Sequence, residues 1–162
     1  MTKSARQANP VSNLPRAWPL LFPVTYLAHV AEEYWCGGGF YDWLSRFAGV
    51  NLTPERFLEL NAYAWVVMLL ISLLAIAISS MRWAVIPLAT AVLVNGLAHA
   101  VGSIITLSYS PGLFTGLLLW VPLGAFTLRR EYGVRSRKVY YAAIVFGLAL
   151  HAAVTLAAFA SS

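Results

Sequence analysis

The sequence predicts an all-α membrane protein, a polytopic helical bundle of about five transmembrane helices with one short interfacial helix. Of its 162 residues, 60% are hydrophobic and only 10% are charged, and the mean hydropathy is +0.71. Soluble domains carry about 25% charged residues, so this composition excludes an ordinary soluble domain. Five apolar segments are also long enough to cross a bilayer. They run approximately over residues 17–36, 57–79, 83–107, 112–128 and 139–160.

The ends of the apolar segments carry helix start and stop residues. We expect residues 1–16 to form a disordered cytoplasmic tail and residues 17–160 to form a single transmembrane domain. Three glycines at 37–39 follow the first segment and end its helix. Thr53 and Pro54 suit the N-cap and first turn of the second span.

The stretch after the three glycines has the pattern of a helix that lies along the membrane surface. Phe40, Trp43, Leu44 and Phe47 recur at helical spacing, with polar residues between them. Such an amphipathic pattern is typical of an interfacial helix. Further along the chain, Pro122 predicts a kink or looser packing within the fourth span.

The basic residues are distributed unevenly between the two ends of the five segments. One side holds the amino terminus, the 80–82 turn and the 129–138 loop, with nine of the eleven lysines and arginines, whereas the other side holds only Arg46 and Arg56. The positive-inside rule therefore predicts a cytoplasmic amino terminus and an external carboxyl terminus, in a bacterial-type inner membrane or a plasma membrane. This placement accounts for the net charge of +5 without a nucleic-acid partner.

A histidine and two glutamates interrupt the first apolar segment. His29, Glu32 and Glu33 are three and four residues apart, so a helix places them near one face. Insertion scales assign about 3 kcal/mol to one charged residue at a bilayer centre, and two carboxylates would cost roughly twice as much. The set therefore predicts a bound metal ion or a bound proton. The simpler alternative is a hydrogen-bonding role in helix packing.

Five more polar residues fall at the same predicted depth, in the outer half of the bundle. Glu59 and Asn61 begin the second span, Asn95 and His99 are one helical turn apart in the third, and His151 lies in the fifth. Each has a structural alternative, because Asn and His often join membrane helices and an acid in a first turn is favoured by the helix dipole. Their coincidence in depth nevertheless favours a shared site.

Imidazole and carboxylate groups together are the usual ligands of zinc, iron and manganese. We therefore predict a divalent metal ion bound by His29, Glu33 and His99, with His151 and Glu59 as further candidate ligands. The identity of the metal stays open between these three elements.

Four residues are predicted to assist the metal ligands. Glu32 is the candidate general base or bridging carboxylate. Tyr109, in the turn between the third and fourth spans, is a candidate catalytic hydroxyl that donates to a substrate oxygen. Asn95 and Asn61 are expected to orient the metal ligands without binding the metal themselves.

Three motifs in order give the chain a resemblance to a known family. They are His29-Val30-Ala31-Glu32-Glu33, the later His99, and Tyr109-Ser110-Pro111-Gly112. The chain resembles the HXXEE-domain integral membrane proteins, over roughly residues 20–128. The resemblance implies that these motif residues form the site, and it suggests a metal-dependent membrane enzyme without specifying a reaction.

The expected partners are membrane lipids and a lipidic or small apolar substrate, because the predicted site faces lipid and an aromatic interfacial helix. The reaction stays open between hydrolysis and oxidation, and the sequence does not predict an oligomeric state. A proton-coupled transporter or channel is an alternative, since buried Glu and His also form proton relays. Haem bound by His99 and His151, or a non-catalytic membrane scaffold, are two further alternatives.

Overall fold

The computed structural model describes residues 15–160, and the regular elements within this range are all helices, as predicted. Seven α-helices follow one another between residues 15 and 160. They are α1 (Leu21–Trp35), α2 (Phe40–Ala48), α3 (Pro54–Ala77), α4 (Val85–Thr106), α5 (Leu113–Thr115), α6 (Val121–Glu131) and α7 (Arg137–Phe159). Short 3₁₀ turns precede α1 and α4, at Trp18–Leu20 and Ser79–Ala84, and a π-helical segment at Gly116–Trp120 joins α5 to α6.

Local chemistry explains the helix boundaries. The side chain of Thr53 accepts a hydrogen bond from the Arg56 amide at 3.2 Å, so it caps α3 as its sequence predicts. α1 ends at Trp35, and its C-cap residue Cys36 is followed by the three glycines. α2 forms where an interfacial helix was predicted, with Leu44 buried beneath it.

Among the described residues, three helices are long and apolar enough to cross a membrane: Pro54–Ala77, Ser79–Thr106 and Arg137–Phe159. The first and fourth predicted spans differ from these. α1 has 15 residues, about 22 Å of helix, which is shorter than the roughly 30 Å of a hydrocarbon core. The fourth is divided by the π-helical segment, and its helix continues to Glu131 rather than ending at 128.

α4 lies at the centre of the bundle, packed against α6, α7 and the π-helical segment. Glycines make each of these contacts close. A Cβ at Gly96 would lie 2.7 Å from the Gly116 carbonyl oxygen, one at Gly124 would lie 2.7 Å from that of Ala89, and one at Gly147 would lie 2.7 Å from that of Pro87. Small residues of this kind allow membrane helices to approach closely. α3 and α7 present large hydrophobic side chains outward, among them Leu70 and Val145.

Arginines gather at one end of the bundle. Arg16 donates to the Ile76 carbonyl at 2.9 Å, near the end of α3, and Arg135 donates to the Ser79 carbonyl at 3.3 Å. Arg82 lies 3.9 Å from the buried Glu131 carboxylate. Most of the predicted 1–16 tail lies outside the described residues, but Arg16 itself is part of this end of the bundle.

Candidate metal centre

Two histidines and one glutamate converge near the opposite end of the bundle from the arginines. His29 and Glu33 lie one turn apart on α1, and His99 faces them from α4. Glu33 Oε1 lies 3.6 Å from His29 Nε2 and 3.2 Å from His99 Nε2. One ligand atom from each residue lies within 4.8 Å of the other two, and all three side chains are buried. The predicted core of the ligand set is therefore assembled in space.

Hydroxyl groups hold the far side of each imidazole. His29 Nδ1 lies 2.8 Å from Thr115 Oγ1, and His99 Nδ1 lies 3.0 Å from Ser110 Oγ. Such outer contacts orient a metal-ligating histidine and select which of its nitrogens is free. Both Nε2 atoms consequently face Glu33.

Glu32 turns away from this group and holds the 109–115 segment. Its Oε1 accepts hydrogen bonds from the Tyr109 hydroxyl at 2.5 Å and the Phe114 amide at 2.9 Å. Its Oε2 accepts from the Thr115 amide at 2.7 Å and the Thr115 hydroxyl at 2.5 Å. The carboxylate thus caps the first turn of α5, where helix N–H groups lack intrahelical partners. With four donors it anchors this segment, and its predicted role as general base or bridging carboxylate stays a prediction.

The contacts of Thr115 determine the proton position on His29. A hydroxyl has one proton, and Thr115 gives it to Glu32, since an ionised carboxylate only accepts. Thr115 Oγ1 must then accept from His29 Nδ1. In the neutral ring this leaves the lone pair on Nε2, which is buried and has no hydrogen-bond partner among the described residues.

The π-helical segment allows two residues of one helix to contact His29 together. Thr115 contacts the edge of the ring, and the Trp120 indole stacks on its face with ring centroids 3.7 Å apart. In an α-helix, residues five apart point about 140° away from each other. A π-helix instead bonds residues five apart, as the Val121 amide does to the Gly116 carbonyl, and brings such pairs to one side.

The Tyr109–Gly112 turn packs against the two histidine rings of the group. Gly112 has φ +99°, and a Cβ there would lie 2.8 Å from His99 Cε1 and 2.9 Å from His29 Cε1. Glycine is therefore required by both backbone conformation and space. Burial and the hydrogen bond to Glu32 raise the pKa of Tyr109, so its hydroxyl stays protonated as the donor. Tyr109 accordingly anchors the turn, and its predicted catalytic role stays a prediction.

A cavity of about 510 Å³ lies beside the three-residue group, between α2, α3, α4 and α7. Glu33 and His99 line it, whereas His29 lies behind them. Most other lining side chains are apolar, including Phe40, Leu88 and Val92. The group is thus reached from an apolar space.

The structure does not bring Glu59 or His151 into the three-residue group. Glu59 points outward and pairs with Arg56 at 2.7 Å, one helical turn away. His151 lies on the cavity wall contributed by α7. Asn61 also lines the cavity, where it accepts from the Tyr26 hydroxyl at 2.7 Å. Asn95 lines the cavity one turn from His99, and its Oδ1 is buried without a hydrogen-bond partner among the described residues.

Sequence reasoning missed Thr115, Ser110 and Trp120. Ser110 occupies the variable position of the Y-x-P-G motif, so the motif pointed to its neighbours only. Thr115 and Trp120 lie in an apolar stretch where threonine and tryptophan are ordinary membrane residues. Their five-residue spacing matches no α-helical face, and for this reason no periodicity argument could find them.

The group fits a small divalent metal ion. Tetrahedral ligands about 2.1 Å from zinc lie about 3.4 Å from one another, close to both Glu33–His distances. One carboxylate and two imidazoles suit zinc, iron or manganese. Three protein ligands also leave a coordination position open, which is typical of catalytic rather than structural sites.

Comparison with known families agrees with the motif pattern. Residues 20–127 match the family model described as "Protein of unknown function with HXXEE motif". The matched range contains the three-residue group and the Tyr109–Gly112 turn, and it ends before α7. No curated protein and no solved structure matches the chain.

Proposed function

The chain belongs to the HXXEE family, and from this premise we propose that its His29–Glu33–His99 group binds a divalent metal ion in a membrane-embedded enzyme. The enzyme acts on a lipidic or small apolar substrate that reaches the metal through the adjoining cavity. The observation that carries the proposal is the convergence of three buried candidate ligand atoms, one of which, His29 Nε2, has no hydrogen-bond partner among the described residues. A buried polar atom without a partner is costly, and a metal ion would satisfy it.

We propose that the protein crosses the membrane as a single bundle of five spans, with its amino terminus in the cytoplasm and its carboxyl terminus outside. The two shorter spans are Trp18–Trp35 and the helical run 113–131. Support comes from the gathering of Arg16, Arg82 and Arg135 at one end of the bundle, because cytoplasmic ends are enriched in basic residues. In this orientation the metal group lies in the outer half.

Glu33, His29 and His99 would hold the metal ion, which would supply Lewis acidity and, in the case of zinc, lower the pKa of a bound water to about 7. Thr115 and Ser110 orient the two imidazoles, and Glu32 fixes the position of Thr115. The apolar cavity limits access of bulk water. Zinc would indicate hydrolysis, whereas iron or manganese would indicate oxidation with an electron acceptor or donor.

The decisive experiment measures metal content after purification in mild detergent, without chelators or affinity metals. We expect near-stoichiometric metal in the unmodified protein. Removing one ligand in His29→Ala or Glu33→Gln should lower metal affinity at least about 100-fold, more than loss of a group that only orients a ligand. His151→Ala is the matched control, because it removes a histidine from the same cavity but not from the group.

Thermal unfolding and size-exclusion profiles establish that the variants are folded. If the folded protein binds no metal even after metal has been added, the proposal is overturned. That result would favour a proton relay or a packing role for the same residues. Equal metal content in His29→Ala, Glu33→Gln and His151→Ala would overturn it as well.

A further inference from the structure

The cavity beside the His29–Glu33–His99 group extends along two helices. Its wall runs from Phe57 to Met68 on α3 and from Leu88 to His99 on α4, about 17 Å along each helix. The two helices run in opposite directions, because Phe57 and His99 both contact Phe40 at one end, and Met68 and Leu88 share a core cluster at the other. The cavity therefore extends from the metal group toward the arginine-rich end.

The volume of the cavity suits a single chain. About 510 Å³ lies within the range of roughly 300–1,000 Å³ that is usual for a site holding one small ligand. A chain laid along the α3 and α4 walls would occupy this space lengthwise.

The cavity has a polar end and an apolar end. Glu33, His99 and Ser110 line the end at the metal group, and Asn95 follows one turn away. Beyond Asn95, the α4 wall consists of apolar side chains down to Leu88. A molecule that matches this gradient has its polar head at the metal group and its apolar chain in the opposite direction.

The polar end favours an uncharged head. Within the described part of the chain, no lysine or arginine lines the cavity, whereas the Glu33 carboxylate does, so without the metal the polar end would disfavour a phosphate. The unpaired Asn95 Oδ1 instead offers an acceptor for a hydroxyl or amide N–H.

We propose that this cavity binds an uncharged single-chain lipid, such as a long-chain alcohol or amide, with its head against Glu33 and His99 and its chain between α3, α4 and α7. The inference rests on the proposed function for the chemistry at the head, and it names the substrate class of that site. Binding of the chain itself depends on the cavity walls and does not require the metal.

Photolabelling tests the inference. The probe is a long-chain alcohol with a diazirine in mid-chain and a terminal alkyne, added to protein in mild detergent with and without its metal. We expect cross-links on cavity-lining residues such as Ala64 and Val92 in both samples. In the metal-free sample, the corresponding unlabelled alcohol should compete, and the matching alkyl phosphate should compete at least about tenfold less well.

Two variants that fill the cavity test whether the lipid chain binds there. Ala91→Trp and Val67→Trp should each reduce labelling about tenfold, since an indole would occupy the path of the chain. Val67 is 47% exposed at the cavity rim, so its replacement is the milder of the two. Leu97→Trp is the control, because Leu97 lies on α4 but outside the cavity lining and is 46% exposed.

Cross-links spread over the outward helix faces, labelling unchanged in both filled variants, or equal competition by the alkyl phosphate in the metal-free sample would overturn the inference. The test is separable from that of the metal. Labelling of the cavity in a protein that binds no metal would reject the proposed function alone. Metal binding without cavity labelling would reject the lipid site alone.

Discussion

Glu32 and Glu33 are neighbours in the chain with different partners. Glu33 faces two imidazoles inside the bundle, whereas Glu32 accepts four hydrogen bonds from the 109–115 segment. A helix rotates about 100° between successive residues, so adjacent carboxylates necessarily face different surroundings. The second glutamate of the H-x-x-E-E motif is thus a candidate ligand, and the first positions the residues that hold the ligands.

The proton position on His29 is a prediction that can be tested without metal. In metal-free protein, ¹⁵N NMR of labelled histidine should show a proton on His29 Nδ1, because Thr115 Oγ1 accepts there. Thr115→Val should remove this preference, and Thr115→Ser should restore it. A His29 ring without a proton on Nδ1 in the unmodified protein would contradict the assignment.

Tyr109→Phe should lower the free energy of unfolding by about 1.5 kcal/mol, the lower range for a hydrogen bond to a charged group. The difference in the free energy of unfolding between the unmodified protein and Tyr109→Phe should depend on pH. Burial and Glu32 raise the pKa of Tyr109 in the folded state, while an unfolded tyrosine ionises near pH 10. The unfolded state therefore releases its proton first, and the contribution is constant below about pH 10 and lost as the pH rises through the folded pKa.

Thermal unfolding of both proteins between about pH 8 and 11 measures this contribution. Subtracting the Tyr109→Phe curve removes the effect of the other tyrosines. An unfolding difference that is independent of pH would show that the hydroxyl does not make this contact in solution.

At the scale of elements, the site depends on one helix with an irregular turn. The run from α5 through the π-helical segment to α6 contributes Thr115 at one end of that segment and Trp120 at the other, and both contact His29. The turn before it contributes Gly112 against both histidine rings. Glu32 connects this element to α1, so its position is coupled to that of the ligands.

Gly112→Ala should damage both stability and metal binding. Its φ of +99° carries a strain of about 1–2 kcal/mol for any residue with a Cβ, and the new methyl group would displace both imidazoles. We expect metal affinity to fall at least about tenfold, as when a group that orients ligands is lost. Gly133→Ala is the matched control, since Gly133 has φ +81° but open space around it.

Metal titration and thermal unfolding of the two glycine variants separate strain from crowding. Gly133→Ala should lose stability but keep its metal affinity. If both variants bound metal equally well, Gly112 would not be in contact with the ligands in solution.

At the scale of the whole molecule, the two ends of the bundle have different chemistry. At one end, Arg16 and Arg135 donate to the carbonyls of Ile76 and Ser79, at the end of α3 and the start of the turn after it. At the other end, the His29–Glu33–His99 group lies beneath the Tyr109–Gly112 turn. The proposed orientation places Cys36, the single cysteine of the chain, at the outer surface, where its side chain is exposed.

A membrane-impermeant maleimide should therefore label Cys36 in intact cells. In a Cys36→Ser background, Val134→Cys should react only after the membrane is permeabilised, because the exposed Val134 lies in the arginine-rich 129–138 loop. Labelling of Val134→Cys but not Cys36 in intact cells would reverse the proposed orientation.

Helical periodicity was sufficient to predict part of this arrangement. His29 and Glu33 are four residues apart, and a helix of any tilt brings them together. His99 could be predicted as a ligand because the directions of the predicted spans put it at the same depth as His29 and Glu33. The direction of Glu32 was not predictable, because its partners lie about 80 residues away in a turn. The π-helical segment also has no sequence signature, so the spacing of Thr115 and Trp120 carried no information in advance.

The unequal access to the three candidate ligands has a stereochemical consequence. Glu33 and His99 border the cavity, whereas His29 lies behind them against Trp120. A substrate entering from the cavity would meet Glu33 and His99 first, while the Trp120 indole covers the face of the His29 ring. Because the cavity walls that orient the substrate are chiral, the proposed enzyme should convert one enantiomer of a racemic substrate faster than the other.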